Sequence, residues 1–246
     1  MADVVAFDKY RSSGAYHWLE CDRRYRNWKR YNPAVDARYK LTVEAICNIA
    51  RHARVLDVGC GDGLLMARLA PFMNKIVGVE TDETAVALAR DKLKTFTNCE
   101  VIHASSYDLP AADNSFDVVV SADVIEHLKE PAEHLRQICR VVRRDGALVL
   151  TTPKYRPDRR WDVRHEKEYR ADELESLLLG YFEDIELRYF WPMTWSRLYA
   201  TKLGWRLLKL VAIGHVNPFT RSGTDPRRFG QILAVCRKPR PITKHG

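Results

Sequence analysis

The stretch VLDVGCGDG, residues 55–63, decides the fold of this 246-residue chain. A short apolar run ends there in glycines separated by single residues, Gly59, Gly61 and Gly63. A strand, a glycine-rich turn and a helix are typical of α/β proteins whose backbone approaches a nucleotide-like ligand. Leu64 stands where the dinucleotide fingerprint has glycine or alanine, and the carboxylate of Asp57 would repel a pyrophosphate. The loop therefore suits a cationic ligand better than NAD.

S-adenosylmethionine (SAM) is such a ligand, because it carries an ammonium and a sulfonium group and no phosphate. Glu80 ends the next apolar run, KIVGVE, 21 residues after Gly59. A carboxylate at that place can accept hydrogen bonds from both ribose hydroxyls of an adenosine ligand. The alternative is a surface glutamate at a strand end. Behind the glycine loop, we expect Glu80 to hold the ribose.

The order of apolar runs predicts the fold class. Strand-like runs alternate with segments of helical spacing, at residues 53–59, 75–80, 99–104, 116–122 and 146–152. This alternation predicts a doubly wound, mostly parallel α/β sheet with helices on both faces. Two further runs, 181–190 and 230–238, lack the helix of a parallel crossover, which predicts an antiparallel edge. We therefore expect a helical cap over residues 1–50 and one catalytic domain over residues 51–246.

The net charge and the cysteine pattern indicate which partners and which cellular location to expect. The formal net charge of +8 permits nucleic acid or anionic lipid as a partner, although such an excess often serves only solubility. No dense basic stripe with interleaved aromatic residues appears, which makes nucleic acid the less favoured partner. The six cysteines form no C-x-x-C pair, and neither a secretory leader nor a spanning segment is visible. These features predict a cytoplasmic protein.

Several stretches together resemble the class I SAM-dependent methyltransferases, in particular the broad group similar to ubiquinone-biosynthesis methyltransferases. The resemblance rests on VLDVGCGDG, VGVE, YDLPAADNSFDVVVSADVIEHL and HEKEYRADELESLL, in this order. It covers roughly residues 50–190 and the last strand. It implies a Rossmann-like sheet of seven strands with the last strand antiparallel, and SAM as cofactor.

The resemblance also implies a set of SAM-binding residues. The methionine part of SAM would lie against Asp57, Gly59 and Gly61, and Glu80 would hold the ribose. Ala104 and Ser105 would lie beside the adenine, and Ala122 beside the sulfonium. Ser105 replaces an aspartate that many family members have, so that Ser106 or a backbone group is an alternative adenine contact. The segment YNPAVDARY resembles one that, in some relatives, directs an arginine to the SAM carboxylate, and Arg38 is the candidate; a solvated helix arginine is the alternative.

The polar residues after the fourth strand predict the catalytic site. SADVIEHL places Asp123, Glu126 and His127 near one another, and His165 follows in HEKEYRADEL. Similar residues bind a divalent metal in some O-methyltransferases, including small-RNA 2′-O-methyltransferases, whereas many metal-free relatives have a similar Glu-His pair. The sequence leaves this choice open. His127 or His165, with Glu126, is separately a candidate general base, because imidazole titrates near neutral pH.

The segment 192–229 separates the last two strands by more than a hairpin requires. Within it, Lys202, Arg206 and Lys209 recur at helical spacing beside an apolar stripe of Leu203, Leu207, Leu210 and Val211. We expect this insertion to be a lid beside the SAM methyl group, with Trp191, Trp195 and Tyr199 near the substrate. The alternative is a helix at the inner membrane surface, with contact through residues 192–213.

These features predict a SAM-dependent methyltransferase that acts on an O, N or C nucleophile of a small acceptor of aromatic or lipid character. The sequence leaves two alternatives open. One is an RNA methyltransferase, which would be consistent with the net positive charge and with the set of Asp123, Glu126, His127 and His165. The other is a SAM-binding protein without turnover.

Overall fold

The computed structural model describes residues 8–23, 28–195, 198, 201–214 and 216–241. Three helices precede the sheet in this part of the chain: α1 (Asp8–Ser13), α2 (Tyr16–Glu20) and α3 (Pro33–Ile49). Asn32 caps α3, because its side chain accepts hydrogen bonds from the backbone N–H groups of Ala34 and Val35 and proline follows at the first helical position.

The sheet continues the chain in alternation with helices. Its strands are β1 (Arg54–Val58), β2 (Lys75–Glu80), β3 (Cys99–His103), β4 (Phe116–Ala122), β5 (Val142–Pro153), β6 (Phe182–Pro192), β7 (Ser222–Gly223) and β8 (Phe229–Pro239). The further α-helices given for the described residues are α4 (Leu64–Leu69), α5 (Glu83–Leu93), α6 (Pro131–Val141), α7 (Ala171–Leu179) and α8 (Lys202–Gly214). Strand order is β3-β2-β1-β4-β5-β8-β6-β7, and β1 to β5 pair in parallel. The predicted doubly wound, mostly parallel fold is confirmed.

The strand count differs from the sequence prediction. The described residues form eight strands rather than seven, because the two-residue β7 pairs with the end of β6. The antiparallel edge is present as predicted, with β8 between β5 and β6 and all pairings from β5 to β7 antiparallel. Residues 229–236 of β8 are buried without interruption, so this apolar strand is covered on both faces. Burial of that strand explains its interior place.

The glycine-rich stretch lies where the strand order reverses. Strand β1 pairs with β2 on one side and with β4 on the other. The strands that follow β1 along the chain therefore extend the sheet first on one side of β1 and then on the other. In doubly wound sheets a ligand crevice forms at this switch point, beyond the carboxyl ends of the strands. Val55 packs into the core on one face, and Leu56 and Val58 into the core on the other. The two cores therefore hold the loop from Gly59 onward at the crevice.

The insertion packs on the outer side of α3. Leu208 of α8 and Phe219 form a small apolar cluster with Ala34 and Ala37 of α3. Lys209 is buried and donates hydrogen bonds to the backbone carbonyls of residues 28 and 29. In the part of the chain that the structure describes, no helix has both the length and the apolar character needed to cross a membrane.

Candidate active site

A cavity of about 660 Å³ lies at the carboxyl ends of the central strands. Its floor comes from the loops after β1, β2, β3 and β4, and from the segment around His165. The first three helices form its roof, with side chains from Tyr10, Tyr16, His17 and Tyr39. Phenol and imidazole rings thus cover a crevice whose opposite wall is glycine backbone.

The absence of side chains at the glycines of the loop lets Val124 and Tyr10 approach its backbone closely. Gly59 has φ +79°, and a Cβ there would lie 2.5 Å from a methyl carbon of Val124. Gly61 has φ +53°, and a Cβ there would collide with the hydroxyl of Tyr10. Both positions require glycine for backbone conformation and for space. Together they form a cradle of backbone that lines the cavity, which fits the methionine part of SAM.

Glu80 lines the cavity and holds the loop. One carboxylate oxygen accepts a hydrogen bond from the N–H of Gly61 at 3.0 Å. The other accepts from the N–H groups of Thr81 and Asp82 at 2.7 and 3.0 Å. These three donors fix the orientation of the carboxylate at the end of β2, where a ribose would need its acceptor.

Asp57 lies beneath the loop and is not among the residues that line the cavity. Its side chain is buried, and within the described structure its Oδ2 atom has no hydrogen-bond partner. Burial and, secondly, the negative charge of Glu80 raise its pKa to about 8. The predicted lining contact of Asp57 therefore is not seen, because the strand turns its side chain into the interior.

The predicted adenine and sulfonium residues all line the cavity: Ala104, Ser105 and Ala122. Ser105 also stabilises its own loop, since its hydroxyl accepts a hydrogen bond from the N–H of Tyr107 at 3.1 Å. The Ser105 hydroxyl retains its proton for donation to a ligand.

Arg38 lines the cavity from α3, but its guanidinium is engaged. Nη1 forms an ion pair with Asp123, whose second oxygen accepts a hydrogen bond from the hydroxyl of Thr151 at 2.8 Å. The Nε atom of Arg38 is buried without a partner among the described residues. Arg38 therefore lies in the pocket as predicted, while its observed partner is a carboxylate of the protein. A role toward the SAM carboxylate remains a prediction.

Three of the four predicted metal ligands converge. One donor atom from each of Glu126, His127 and His165 lies within 4.8 Å of the other two. The two imidazole rings meet edge to face with centroids 4.8 Å apart. Asp123 is outside this group, because its carboxylate is held by Arg38 and Thr151. All four residues line the same cavity, and the pairing of Asp123 with Arg38 keeps Asp123 out of the group of donor atoms.

Each of the two imidazole rings is oriented by a hydrogen bond at its Nδ1 atom. Nδ1 of His165 lies 2.7 Å from the carboxylate of Glu168, and Nδ1 of His127 lies 3.3 Å from the carbonyl oxygen of Arg164. An oxygen beside Nδ1 favours the tautomer that carries its proton there. Burial and, secondly, the neighbouring His165 lower the pKa of His127, so its neutral form is favoured. Glu168 was missed by the sequence reasoning, although its i+3 spacing from His165 was visible.

Burial also raises the pKa of the Glu126 carboxyl group. Its side chain is fully buried, with one oxygen accepting a hydrogen bond from the Thr152 hydroxyl at 2.9 Å. The other oxygen has no partner in the described structure. Burial and the charge of Asp123 raise the pKa of Glu126 well above its usual range. A buried oxygen without a partner beside two oriented imidazoles fits the donor set of a divalent metal site.

A contact that the sequence did not predict ties the roof to the glycine loop. The backbone N–H and the ring Nδ1 of His17 lie 3.0 and 3.1 Å from the two carboxylate oxygens of Asp62. The indole N–H of Trp18 donates to the backbone carbonyl of Asp62 at 2.8 Å. Since Asp62 is fully buried, α2 covers the loop at the site itself.

The described part of the insertion lies outside the cavity wall. No described residue of 192–229 lines the cavity. Trp191 packs against Trp161 and Phe219, with ring centroids 5.2 and 5.9 Å away. Tyr199 and the side chain of Trp195 lie outside the described residues. In the described part of the insertion, Leu208 and Phe219 pack against α3, and the N-terminal helices cover the cavity. The lid role stays a prediction.

Comparison with known proteins was consistent with this geometry. Residues 56–150 match a family model described as a methyltransferase domain. A probable S-adenosylmethionine-dependent methyltransferase of Mycobacterium tuberculosis is 39% identical over 130 residues, which are 51% of this chain and 46% of that protein. A ubiquinone biosynthesis O-methyltransferase of Aromatoleum aromaticum is 28% identical over 155 residues, 61% of this chain and 63% of that protein. The chain spans about half the length of the curated relatives it matches.

A solved structure shares the fold over nearly the whole chain. The N-methyltransferase NodS of Bradyrhizobium japonicum, in complex with S-adenosyl-L-homocysteine, aligns with a TM-score of 0.62 and 17% identity. The alignment covers 92% of this chain and 99% of that one. At this identity the likeness concerns the fold alone.

Proposed function

We propose that this chain, whose residues 56–150 match a methyltransferase domain, is a class I SAM-dependent methyltransferase that transfers a methyl group to a small acceptor of aromatic or lipid character. One observation carries the proposal. A single cavity contains both the glycine cradle with Glu80 and the group of Glu126, His127 and His165. The proposed cofactor site and the proposed reaction site would thus face the same space.

We propose that the cofactor half of the cavity holds SAM, which supplies an electrophilic methyl group on its sulfonium. The backbone of Gly59 and Gly61 would receive the methionine part, and the oriented carboxylate of Glu80 would accept hydrogen bonds from the ribose. Methyl transfer is an in-line displacement, so the contribution of the protein is mainly alignment. Good positioning of two reactants is worth up to about 7–11 kcal/mol of the barrier.

The acceptor half of the cavity would activate the nucleophile. With its proton on Nδ1, His165 has Nε2 as the ring nitrogen that can accept a proton from an acceptor hydroxyl or amine. Glu168 would stabilise the imidazolium that results, because its carboxylate lies 2.7 Å from Nδ1. His127 is the alternative base. Its lowered pKa keeps the ring neutral near pH 7, in the form that can accept a proton.

The same residues suit a divalent metal, and this remains a second proposal for their role. Glu126, His127 and His165 would be its ligands, and Glu168 and the carbonyl of Arg164 would orient the two rings. A metal there would supply Lewis-acid activation of an acceptor oxygen. Chelation distinguishes the two roles: a metal-dependent enzyme loses activity in chelator and recovers it with divalent ion, whereas a general base is indifferent to both.

The proposed acceptor class is supported by the cavity walls. Tyr10, Tyr16 and Tyr39 present aromatic rings to the space above the glycine loop. Such walls favour a flat or apolar ligand over a strongly hydrated one. The names of two matched relatives, a demethylmenaquinone methyltransferase of Bacillus licheniformis and the ubiquinone biosynthesis O-methyltransferase, are consistent with an acceptor of this kind.

The test is incubation of the protein with methyl-labelled SAM and a cell extract, followed by separation into lipid, small-molecule and RNA fractions. Label in a lipid or small-molecule product supports the proposal. Label in RNA would establish the nucleic-acid alternative instead. Retention of SAM without any labelled product would indicate a binding protein without turnover.

A pair of variants tests the acceptor half. His165→Asn should reduce methyl transfer by about 100-fold or more, the contribution usual for a positioned base, and leave SAM affinity nearly unchanged. His52→Asn is the matched control, because His52 is exposed at the opposite end of β1 and already has a left-handed backbone that asparagine tolerates. Full activity in folded His165→Asn would remove His165 from the mechanism.

A further inference from the structure

The outer face of α8 is apolar. Leu203, Leu207, Leu210 and Val211, here called the leucine stripe, are 78%, 54%, 59% and 48% exposed. Their spacing places them along one side of the helix. Val216, just beyond the helix, is 68% exposed. A helix of a water-soluble domain normally turns such a stripe toward the core.

The helix has a second face that is already packed. Gly204, Leu208 and Ala212 are buried, and Leu208 belongs to the cluster against α3. A Cβ at residue 204 would overlap backbone of residue 198, so the helix is held closely by its surroundings. The leucine stripe is therefore distinct from the face of α8 that packs against the rest of the protein. It is a separate apolar surface on a helix whose opposite face is packed in the described structure.

Positive charge lies along one side of the stripe. Lys202 and Arg206 are exposed on the same helix, which contains no acidic residue. Segment 192–229 as a whole has seven lysines and arginines and one aspartate, so it carries most of the net positive charge of the chain. Lys209 is not part of the exposed surface, because it is buried against the turn at residues 28 and 29.

From this charge and exposure we infer that α8 docks on an anionic lipid surface, with the leucine stripe inserted between headgroups and with Lys202 and Arg206 at headgroup level. An anionic bilayer satisfies both features, because it takes up apolar side chains and attracts the flanking cations. A second copy of the chain is disfavoured as the occupant, since symmetrical contact would bring the same cations face to face. Docking does not depend on methyl transfer.

The position of α8 would bring the cavity near the membrane. Helix α3 lies between them: Ala34 and Ala37 contact the insertion, and Val35, Arg38 and Tyr39 line the cavity. A protein docked through α8 would thus hold its active site one helix away from the lipid surface. A lipid-soluble acceptor would then be presented close to the site.

Vesicle sedimentation tests the inference with the full chain. We expect wild-type protein to bind vesicles of equimolar phosphatidylglycerol and phosphatidylcholine, to bind pure phosphatidylcholine much less, and to be released by salt. Leu207→Asp with Leu210→Asp should weaken binding at least about tenfold, because burial of one leucine side chain is worth roughly that factor or more. Leu179→Asp, at an exposed leucine of α7, is the matched control and should bind like wild type.

Parallel measurements keep the test decisive. SAM affinity by calorimetry should be the same in wild type and in the double variant, so a failure of docking is distinct from a failure of the proposed methyl transfer. Leu203→Ser, at the most exposed position of the stripe, replaces the double variant if that protein does not fold. Equal binding of both vesicle types, undiminished binding of the folded variants, or a stripe-dependent dimer without vesicle binding would each overturn the inference.

Discussion

Removal of the Glu80 carboxylate is the sharpest test of the cofactor site. The carboxylate accepts hydrogen bonds from Gly61, Thr81 and Asp82 at 2.7–3.0 Å, so its position is fixed before any ligand binds. Hydrogen bonds to a charged group are worth about 1.5–3 kcal/mol. Loss of the ribose contact in Glu80→Ala should therefore weaken SAM binding by roughly tenfold to over a hundredfold.

The assay is titration calorimetry with SAM on protein whose fold has been checked by thermal unfolding. Glu80→Gln separates charge from shape and should show a smaller loss than alanine, because the amide keeps one acceptor oxygen. Glu83→Gln is the matched control, since Glu83 is exposed on the adjoining α5 helix and does not line the cavity. SAM affinity of folded Glu80→Ala within about twofold of wild type would refute the assignment of Glu80.

Three further substitutions extend the test to the loop and the core. Gly61→Ala should impair SAM binding by calorimetry and lower the melting temperature, because the methyl group collides with the Tyr10 hydroxyl and the backbone has φ +53°; normal values for both would contradict the steric argument. Asp36→Ala should cost about 3 kcal/mol of unfolding free energy in urea, because it removes the buried carboxylate that pairs with Arg68, whereas a change below about 0.5 kcal/mol would show that the pair is dispensable. The pKa of Asp57 is about 8 in the folded state, which is above its value in the unfolded state. As pH rises, the unfolded state therefore loses this proton first. The free energy of unfolding should fall between about pH 4 and pH 8, by at most about 1.4 kcal/mol per pH unit. Asp57→Asn should flatten that part of the urea-unfolding profile, and an unchanged slope would place the titrating group elsewhere.

Much of the cofactor half could be predicted from the sequence because it depends on neighbouring parts of the chain. In a parallel sheet, consecutive β-α units place the carboxyl ends of their strands at one edge. The glycines after β1 and Glu80 at the end of β2 therefore had to come close once the alternation of runs was recognised. The spacing of Glu126 and His127 likewise placed two polar side chains beyond β4.

The sequence by itself thus determined the fold class, the edge of the sheet that carries the candidate site and the resemblance to a methyltransferase family. Tertiary packing alone decided which way the remaining side chains point. The turn of β1 buries Asp57 under the loop, Arg38 and Asp123 neutralise each other across 85 residues of chain, and α8 packs against α3 with its leucines outward. Each of these outcomes follows from contacts between distant segments, because desolvation and charge pairing are settled only when those segments meet in space.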